Sequence, residues 1–103
     1  MTLRDWLHER TPPAPARLAA RIEDVLGDRL TGDVASAPEA CVDAAESLLR
    51  DLLEHSATGR ESALDLLTVD ALITYAFEAA ATDPATLESR ATAAMSRLSH
   101  LAG

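Results

Sequence analysis

The sequence predicts an all-α protein: an antiparallel bundle of four main helices preceded by a short N-terminal helix. Ala and Leu together make up more than a third of the 103 residues, and the only aromatic residues are Trp6, Tyr75 and Phe77. This composition favours helices and leaves few of the residues that strands prefer. Apolar residues recur at spacings of three and four, and short breaks separate the periodic segments, as in bundles whose neighbouring helices run antiparallel.

The chain opens with a short helix followed by a proline-rich break. Thr2 is a candidate N-cap with Asp5 three residues later, and Trp6 lies on the apolar edge of the segment "TLRDWLHER". The prolines of "TPPAPA" restrict the backbone and remove hydrogen-bond donors, so they end this helix and allow the next one to begin with a proline in its first turn. We therefore divide the chain into a short helix with a Pro-rich linker, residues 1–16, and a helical bundle domain, residues 17–103.

Two amphipathic helices follow this break. Gly27 either ends the second helix or lies inside a helix that continues to Leu30. Ser36 and Glu39 form an S-x-x-E capping box that starts the third helix, whose face opposite the apolar stripe is acidic. The apolar stripes are Leu18, Ile22, Val25 and Leu26 in the second helix and Cys41, Ala44, Ala45, Leu48, Leu49, Leu52 and Leu53 in the third.

The last two helices begin with similar signals. Thr58 and Glu61 form a second capping box, and Asp83 followed by Pro84 is typical of a new helix start. The fifth helix has an a/d seam with alternating spacings of four and three. The seam consists of Leu87, Ala91, Ala94, Leu98 and Leu101.

The fourth helix is the most apolar segment, yet it carries several acidic residues. At about 100° per residue, its polar positions form two stripes on roughly opposite sides. The first stripe is Glu61, Asp65 and Thr68, and the second is Asp70, Thr74 and Glu78. The stripes leave two apolar faces, of which one can serve the protein's own bundle and the other a second copy or a different partner.

Three interpretations of these carboxylates are open. They reach solvent at the seams between helices or pair with Arg; they form a polar site in the bundle core centred on Asp70, with Thr74 and Tyr75 nearby; or a buried polar contact fixes register or partner choice at a cost in stability. An unpaired Asp in the core would be costly and would take up a proton. The first interpretation is therefore favoured.

Charge and composition limit the partners and the compartment. Nine basic residues against seventeen acidic ones give a net charge of −8, so binding to nucleic acid or to an anionic membrane surface is not expected. The single Cys41 cannot form an internal disulfide, which fits a reducing compartment. We recognise no apolar signal segment and no membrane-spanning segment, so we expect a cytoplasmic protein, and a composition with Arg but no Lys is typical of a high-GC bacterial genome.

The sequence contains no recognisable catalytic or metal-binding pattern. His8, His55 and His100 lie on different segments, although Asp51 and His55 are spaced to share a cation. The Glu-x-x-His motifs of di-iron bundles are absent, and Cys41 is expected to be a small buried hydrophobe. We therefore predict no catalytic residue, no metal and no cofactor.

We predict a non-enzymatic interaction or assembly module that forms a homodimer or binds another protein. The motivating observation is a helix with two apolar faces in a domain too small to cover both. Trp6 either folds back to close one end of its own bundle or docks on another subunit. The predicted contact residues are Trp6, Leu7, Val69, Asp70, Leu72, Ile73, Tyr75 and Phe77, with Asp70 setting specificity.

Two other functions remain open. A small-molecule- or metal-binding bundle, with or without enzymatic activity, would use Asp70, Thr74, Tyr75 and Glu78. An acidic regulator would bind a basic protein partner rather than DNA.

Overall fold

The computed structural model describes residues 1–10, 12–55, 59–81 and 84–102, and the side chains of these residues except 60, 61 and 84–90. The predicted all-α fold with four main helices and a short N-terminal helix is confirmed. Two short 3₁₀ turns, residues 27–31 and 34–36, connect the second helix to the third. The helices are α1 (Leu3–His8), α2 (Ala16–Leu26), α3 (Ala37–His55), α4 (Arg60–Ala80) and α5 (Pro84–Ala102).

The short helix α1 begins with the predicted capping box. The Asp5 backbone N–H donates to the Thr2 hydroxyl oxygen over 3.2 Å, and the Thr2 N–H donates to the Asp5 carboxylate over 3.4 Å. The Leu3 N–H also donates to the Gly32 carbonyl over 2.9 Å, and the Leu3 side chain is completely buried. Backbone bonds therefore tie the N-terminal segment to the loop that precedes α3.

Helix α2 differs from the prediction at its start and agrees with one of the two alternatives at its end. Pro15 lies before the helix, at the N-cap, rather than in its first turn, and Thr11 lies outside the described residues. The helix ends at Leu26 because Gly27 adopts φ +54°, a backbone conformation that favours glycine. The 3₁₀ turn that follows brings Leu30 into the core.

The long helices α3 and α4 form the central hairpin. Helix α3 begins directly after Ser36, as predicted, and the Ser36 hydroxyl donates to the Asp33 carbonyl over 2.7 Å. Helix α4 begins at Arg60 with Gly59 at the N-cap, at φ +99°. The predicted capping box of the fourth helix rested on Thr58 and on a side chain at position 61, which lie outside the described residues.

Helices α2 and α5 each contact both members of this hairpin. Tyr75 of α4 lines a cleft with α2, whereas Ile73 and Phe77 line a cleft with α5. At about 100° per residue, Tyr75 lies on the opposite side of α4 from both Ile73 and Phe77. In this half of α4 the chain itself therefore covers both apolar flanks, and a partner is not needed for that purpose.

Helix α5 has the predicted proline at its first position, Pro84, while Asp83 lies outside the described residues. The predicted seam faces the bundle: Ala94 is buried, and Ala91, Leu98 and Leu101 are half-buried. The Leu87 side chain is not among those described. No helix in the described part of the chain is both long and apolar enough to cross a membrane.

Candidate interaction surface

The first polar stripe of α4 contains Asp65, a largely buried carboxylate that pairs with an arginine of α2. Arg21 of α2 donates to Asp65 through Nε over 2.7 Å and through Nη2 over 3.4 Å, and Nη1 bonds Asp24 over 2.6 Å. The Asp65 side chain is only 19% exposed. The hydrogen bond to Asp65 raises the pKa of Arg21, which burial alone would lower. Asp65 therefore pairs with an arginine, as the favoured interpretation predicted, and joins α4 to α2.

The second polar stripe runs along the outer face of α4. Asp70, Thr74 and Glu78 are all exposed, and the Thr74 hydroxyl donates to the Asp70 carbonyl over 3.0 Å. Glu78 lies 3.9 Å from Arg10. The hypothesis of a polar site in the bundle core around Asp70 is therefore wrong, because the helix turns this stripe outward. Ligand binding by these residues at the surface stays a prediction.

Trp6 packs on its own bundle rather than projecting from it. It is 7% exposed, and its ring meets Tyr75 edge-on, with centroids 6.0 Å apart and planes at 84°. The Arg10 guanidinium stacks 4.2 Å from the centre of the Trp6 ring. Burial raises the pKa of Tyr75, and the nearby Glu78 raises it further. This cluster closes the bundle over α1, which is the first of the two alternatives for Trp6.

A cleft of about 190 Å³ lies beside this cluster, between α1, the linker and α2. Its polar edge is the pair His8 and Glu23, whose side chains are 2.8 Å apart. We call it the Tyr75 cleft. Its lining is Leu7, His8, Pro13, Ala14, Ala19, Ile22, Glu23 and Tyr75.

The predicted contact residues differ in how far their side chains are exposed. Leu72 is completely buried within its own chain, so it has no surface to offer a partner. Asp70 is exposed, and the half-buried members are Leu7, Val69, Ile73, Tyr75 and Phe77. Their participation in an interface stays a prediction.

Three leucines that the sequence reasoning missed are more than half exposed. Leu53 is 52%, Leu66 55% and Leu67 57% exposed. Helix α3 ends at His55 and α4 begins at Arg60, so all three lie within two helical turns of the same hairpin connection. We call them the leucine patch. Their exposure could not be read from the sequence: adjacent residues of a helix point about 100° apart, yet adjacent residues such as Cys41 and Val42 are both buried.

The opposite end of the hairpin is rich in alanine. There α3, α4 and α5 surround a cleft of about 100 Å³, which we call the alanine cleft. Arg97 of α5 lies at its edge and donates to Asp43 over 2.6 Å and to Glu46 over 3.0 Å and 3.2 Å. These bonds raise the pKa of Arg97 and lower that of Glu46. The cleft is lined by Pro38, Glu39, Val42, Ile73, Ala76, Phe77, Ala80, Ala91, Ala93, Ala94 and Arg97.

Among the described residues we find neither a reactive cysteine nor a cluster of metal-binding side chains. Cys41 is completely buried, and burial raises the pKa of its thiol to about 12, so the thiol is protonated and unreactive at neutral pH. His55 Nδ1 bonds the Asp51 backbone carbonyl over 2.7 Å. No three His, Cys, Asp or Glu side chains converge within the described ranges to hold a metal ion.

Comparison of the chain with protein-family models, with curated proteins and with solved structures found no match. The function has to be inferred from the geometry of the surface.

Proposed function

We propose that this chain is a small self-associating interaction module without enzymatic activity, and that two copies dimerise through the leucine patch. The observation that carries the proposal is the exposure of Leu53, Leu66 and Leu67 at one end of the central hairpin. Isolated exposed leucines are ordinary, but three within two helical turns of one hairpin connection concentrate apolar surface there, and concentrated exposed apolar surface is a feature of protein interfaces.

The size of the patch supports a weak dimer. Three leucines exposed to this degree leave roughly 300 Å² of apolar surface, worth about 7 kcal/mol per copy at 25 cal/mol per Å². Association costs about 4–15 kcal/mol in lost freedom of motion, and small interfaces belong to transient complexes. We therefore expect dissociation at micromolar rather than nanomolar concentrations.

The absolute mass in solution tests this proposal. Light scattering after gel filtration, at loads from about 10 μM to about 1 mM, should show a rise from 10.9 kDa toward twice that mass. The double variant L66S/L67S should stay monomeric with unchanged helix content, because both side chains are exposed. The matched control is Met95→Ser on α5, where a methionine 44% exposed lies outside the patch; it should dimerise like the wild type.

Two outcomes would contradict the proposal. A wild type that stays monomeric throughout this range does not self-associate. A dimer that survives in L66S/L67S uses a different surface.

A second candidate function is small-molecule binding in the Tyr75 cleft, because its mainly apolar walls and the polar pair His8 and Glu23 are the mixture that ligand sites use. Filling it by Ala19→Phe should abolish any ligand-induced rise in melting temperature that a compound screen detects. Ala20→Phe, at an exposed position of the same helix, is the control. A rise that persists in Ala19→Phe would place the ligand elsewhere.

A further inference from the structure

The outer face of α4 has the features of a self-complementary surface. Ala63, Leu66, Leu67, Asp70 and Thr74 are all exposed and fall within an arc of about 100° on the helix. The face therefore offers projecting leucines and, one turn away, a small alanine against which such a leucine can pack. A two-fold symmetric interface requires this combination on a single patch, because both copies present the same surface.

The two ends of this face also differ in electrostatic character. Gly59, which has no side chain, occupies the N-cap of α4, so no N-cap side chain accepts hydrogen bonds from the first-turn N–H groups. These groups and the helix dipole place a partial positive charge at that end, where Arg60 and Glu61 carry opposite formal charges. Asp70 is exposed ten residues later, about 15 Å along the helix.

We infer that the dimer pairs two α4 helices antiparallel, with the two-fold axis next to Leu66. Leu67 of each copy then packs against Ala63 of the other, and Asp70 lies beside the first turn of the second copy's α4. This inference rests on the proposed self-association and specifies its geometry.

Charge repulsion favours the antiparallel pairing of the two α4 helices over a parallel pairing. A parallel pairing in register would place Asp70 against Asp70 and Glu78 against Glu78, although each copy already carries a net charge of −8. In the antiparallel pairing the two Asp70 residues are about 12 Å apart along the helices. This exceeds the screening length of about 8 Å at physiological salt.

Cysteine cross-linking distinguishes the two pairings. A cysteine at position 66 lies next to the axis, so Leu66→Cys should form a disulfide-linked dimer under mild oxidation. Thr74→Cys, exposed on the same face but two turns away, should cross-link at least about tenfold more slowly, because its counterpart is about 24 Å distant along the helices. The native Cys41 is completely buried and does not interfere.

A charge substitution provides a second readout. Asp70→Asn should weaken dimerisation about three- to fivefold, because the carboxylate loses its favourable position at the helix N-terminus. Glu78→Gln removes the same charge from the same polar stripe and should leave the dimer unchanged or slightly strengthen it, because it reduces repulsion between the copies, although within the chain it gives up the 3.9 Å contact with Arg10. The opposite signs are the signature of the antiparallel pairing.

The failures of the two proposals are distinguishable. If the wild type dimerises but Thr74→Cys cross-links as fast as Leu66→Cys, or Asp70→Asn and Glu78→Gln behave alike, the antiparallel geometry is wrong and self-association stands. If light scattering shows no dimer, both proposals fail together.

Discussion

The two ends of the α3–α4 hairpin differ in which apolar side chains they bury. At the alanine-rich end, Ala80 is 2% and Ala94 7% exposed, whereas at the other end Leu66 and Leu67 are both more than half exposed. Helices α3, α4 and α5 surround the alanine cleft, whereas Leu66 and Leu67 occupy positions of α4 that turn away from the buried Thr68 and Leu72. Burial on α4 therefore depends on which way a position faces and not on the hydrophobicity of its side chain alone.

The sharpest test of this contrast uses the same substitution twice on α4. Leu72→Ala should lower the free energy of unfolding by about 2–5 kcal/mol, because Leu72 is completely buried and its loss leaves a cavity. Leu67→Ala should change it by less than about 0.5 kcal/mol in the monomer. Urea unfolding at a concentration below that of dimerisation measures both, and equal losses would show that Leu67 is buried in the monomer after all.

The converse test enlarges an alanine to leucine at one buried and one exposed position. Ala45→Leu places extra atoms in a completely buried position and should destabilise the protein by about 1–3 kcal/mol. Ala63→Leu, at an exposed position of α4, should leave the monomer's stability nearly unchanged and weaken only the dimer, because it fills the space that Leu67 of the other copy needs. A dimer unaffected by Ala63→Leu would contradict the proposed pairing.

The ion pairs at the alanine-rich end should make a smaller, pH-dependent contribution. Arg97→Met should cost about 1 kcal/mol or less, since the pairs are partly exposed. Arg97 lowers the pKa of Glu46 below its ordinary 4.5, so the contribution of Glu46 is present above pH 4.5 and is lost as the pH falls through the lowered value.

The stability difference between wild type and Glu46→Gln should therefore be constant from pH 7 to about pH 5 and shrink below that range. Chemical unfolding at each pH measures it. A difference that does not change down to pH 3 would mean that Arg97 does not stabilise the ionised Glu46.

The elements that the sequence predicted correctly depend on local chemistry. The Thr2 and Asp5 capping box and the start of α3 directly after Ser36 involve residues that are close in sequence, so their patterns can be read without knowing the fold. The end of α2 at Gly27 was one of two alternatives that the sequence left open. The pairing of Arg21 with Asp65 could not be read in this way. The two residues are 44 positions apart, and many other acids were available to the same arginine.

The candidate surface was missed for a related reason. Periodicity indicates that a helix has an apolar face but not how far along the helix its neighbours extend. Leu53 belongs to the apolar pattern of α3 and is nevertheless 52% exposed, because exposure depends on the arrangement of other helices. The adjacency of Leu66 and Leu67 did not settle their exposure either, because adjacent residues elsewhere, such as Ala44 and Ala45, are both buried.

Added salt should weaken the ion pairs at the alanine-rich end and strengthen dimerisation at the leucine patch. Both effects should be smaller than those of the substitutions above. Raising NaCl from about 50 mM to about 500 mM shortens the screening length from about 14 Å to about 4 Å. At the alanine-rich end, screening weakens the bonds of Arg97 to Asp43 and Glu46, so the stability difference between wild type and Arg97→Met should shrink. At the leucine patch, the same screening reduces repulsion between two copies of charge −8, so dimerisation should strengthen by a few fold.

Sedimentation equilibrium at both salt concentrations measures the effect on dimerisation, with L66S/L67S as the monomeric reference. Dimerisation that weakens with salt would instead indicate an interface held by ion pairs, and would exclude the uncharged leucine patch as its main component.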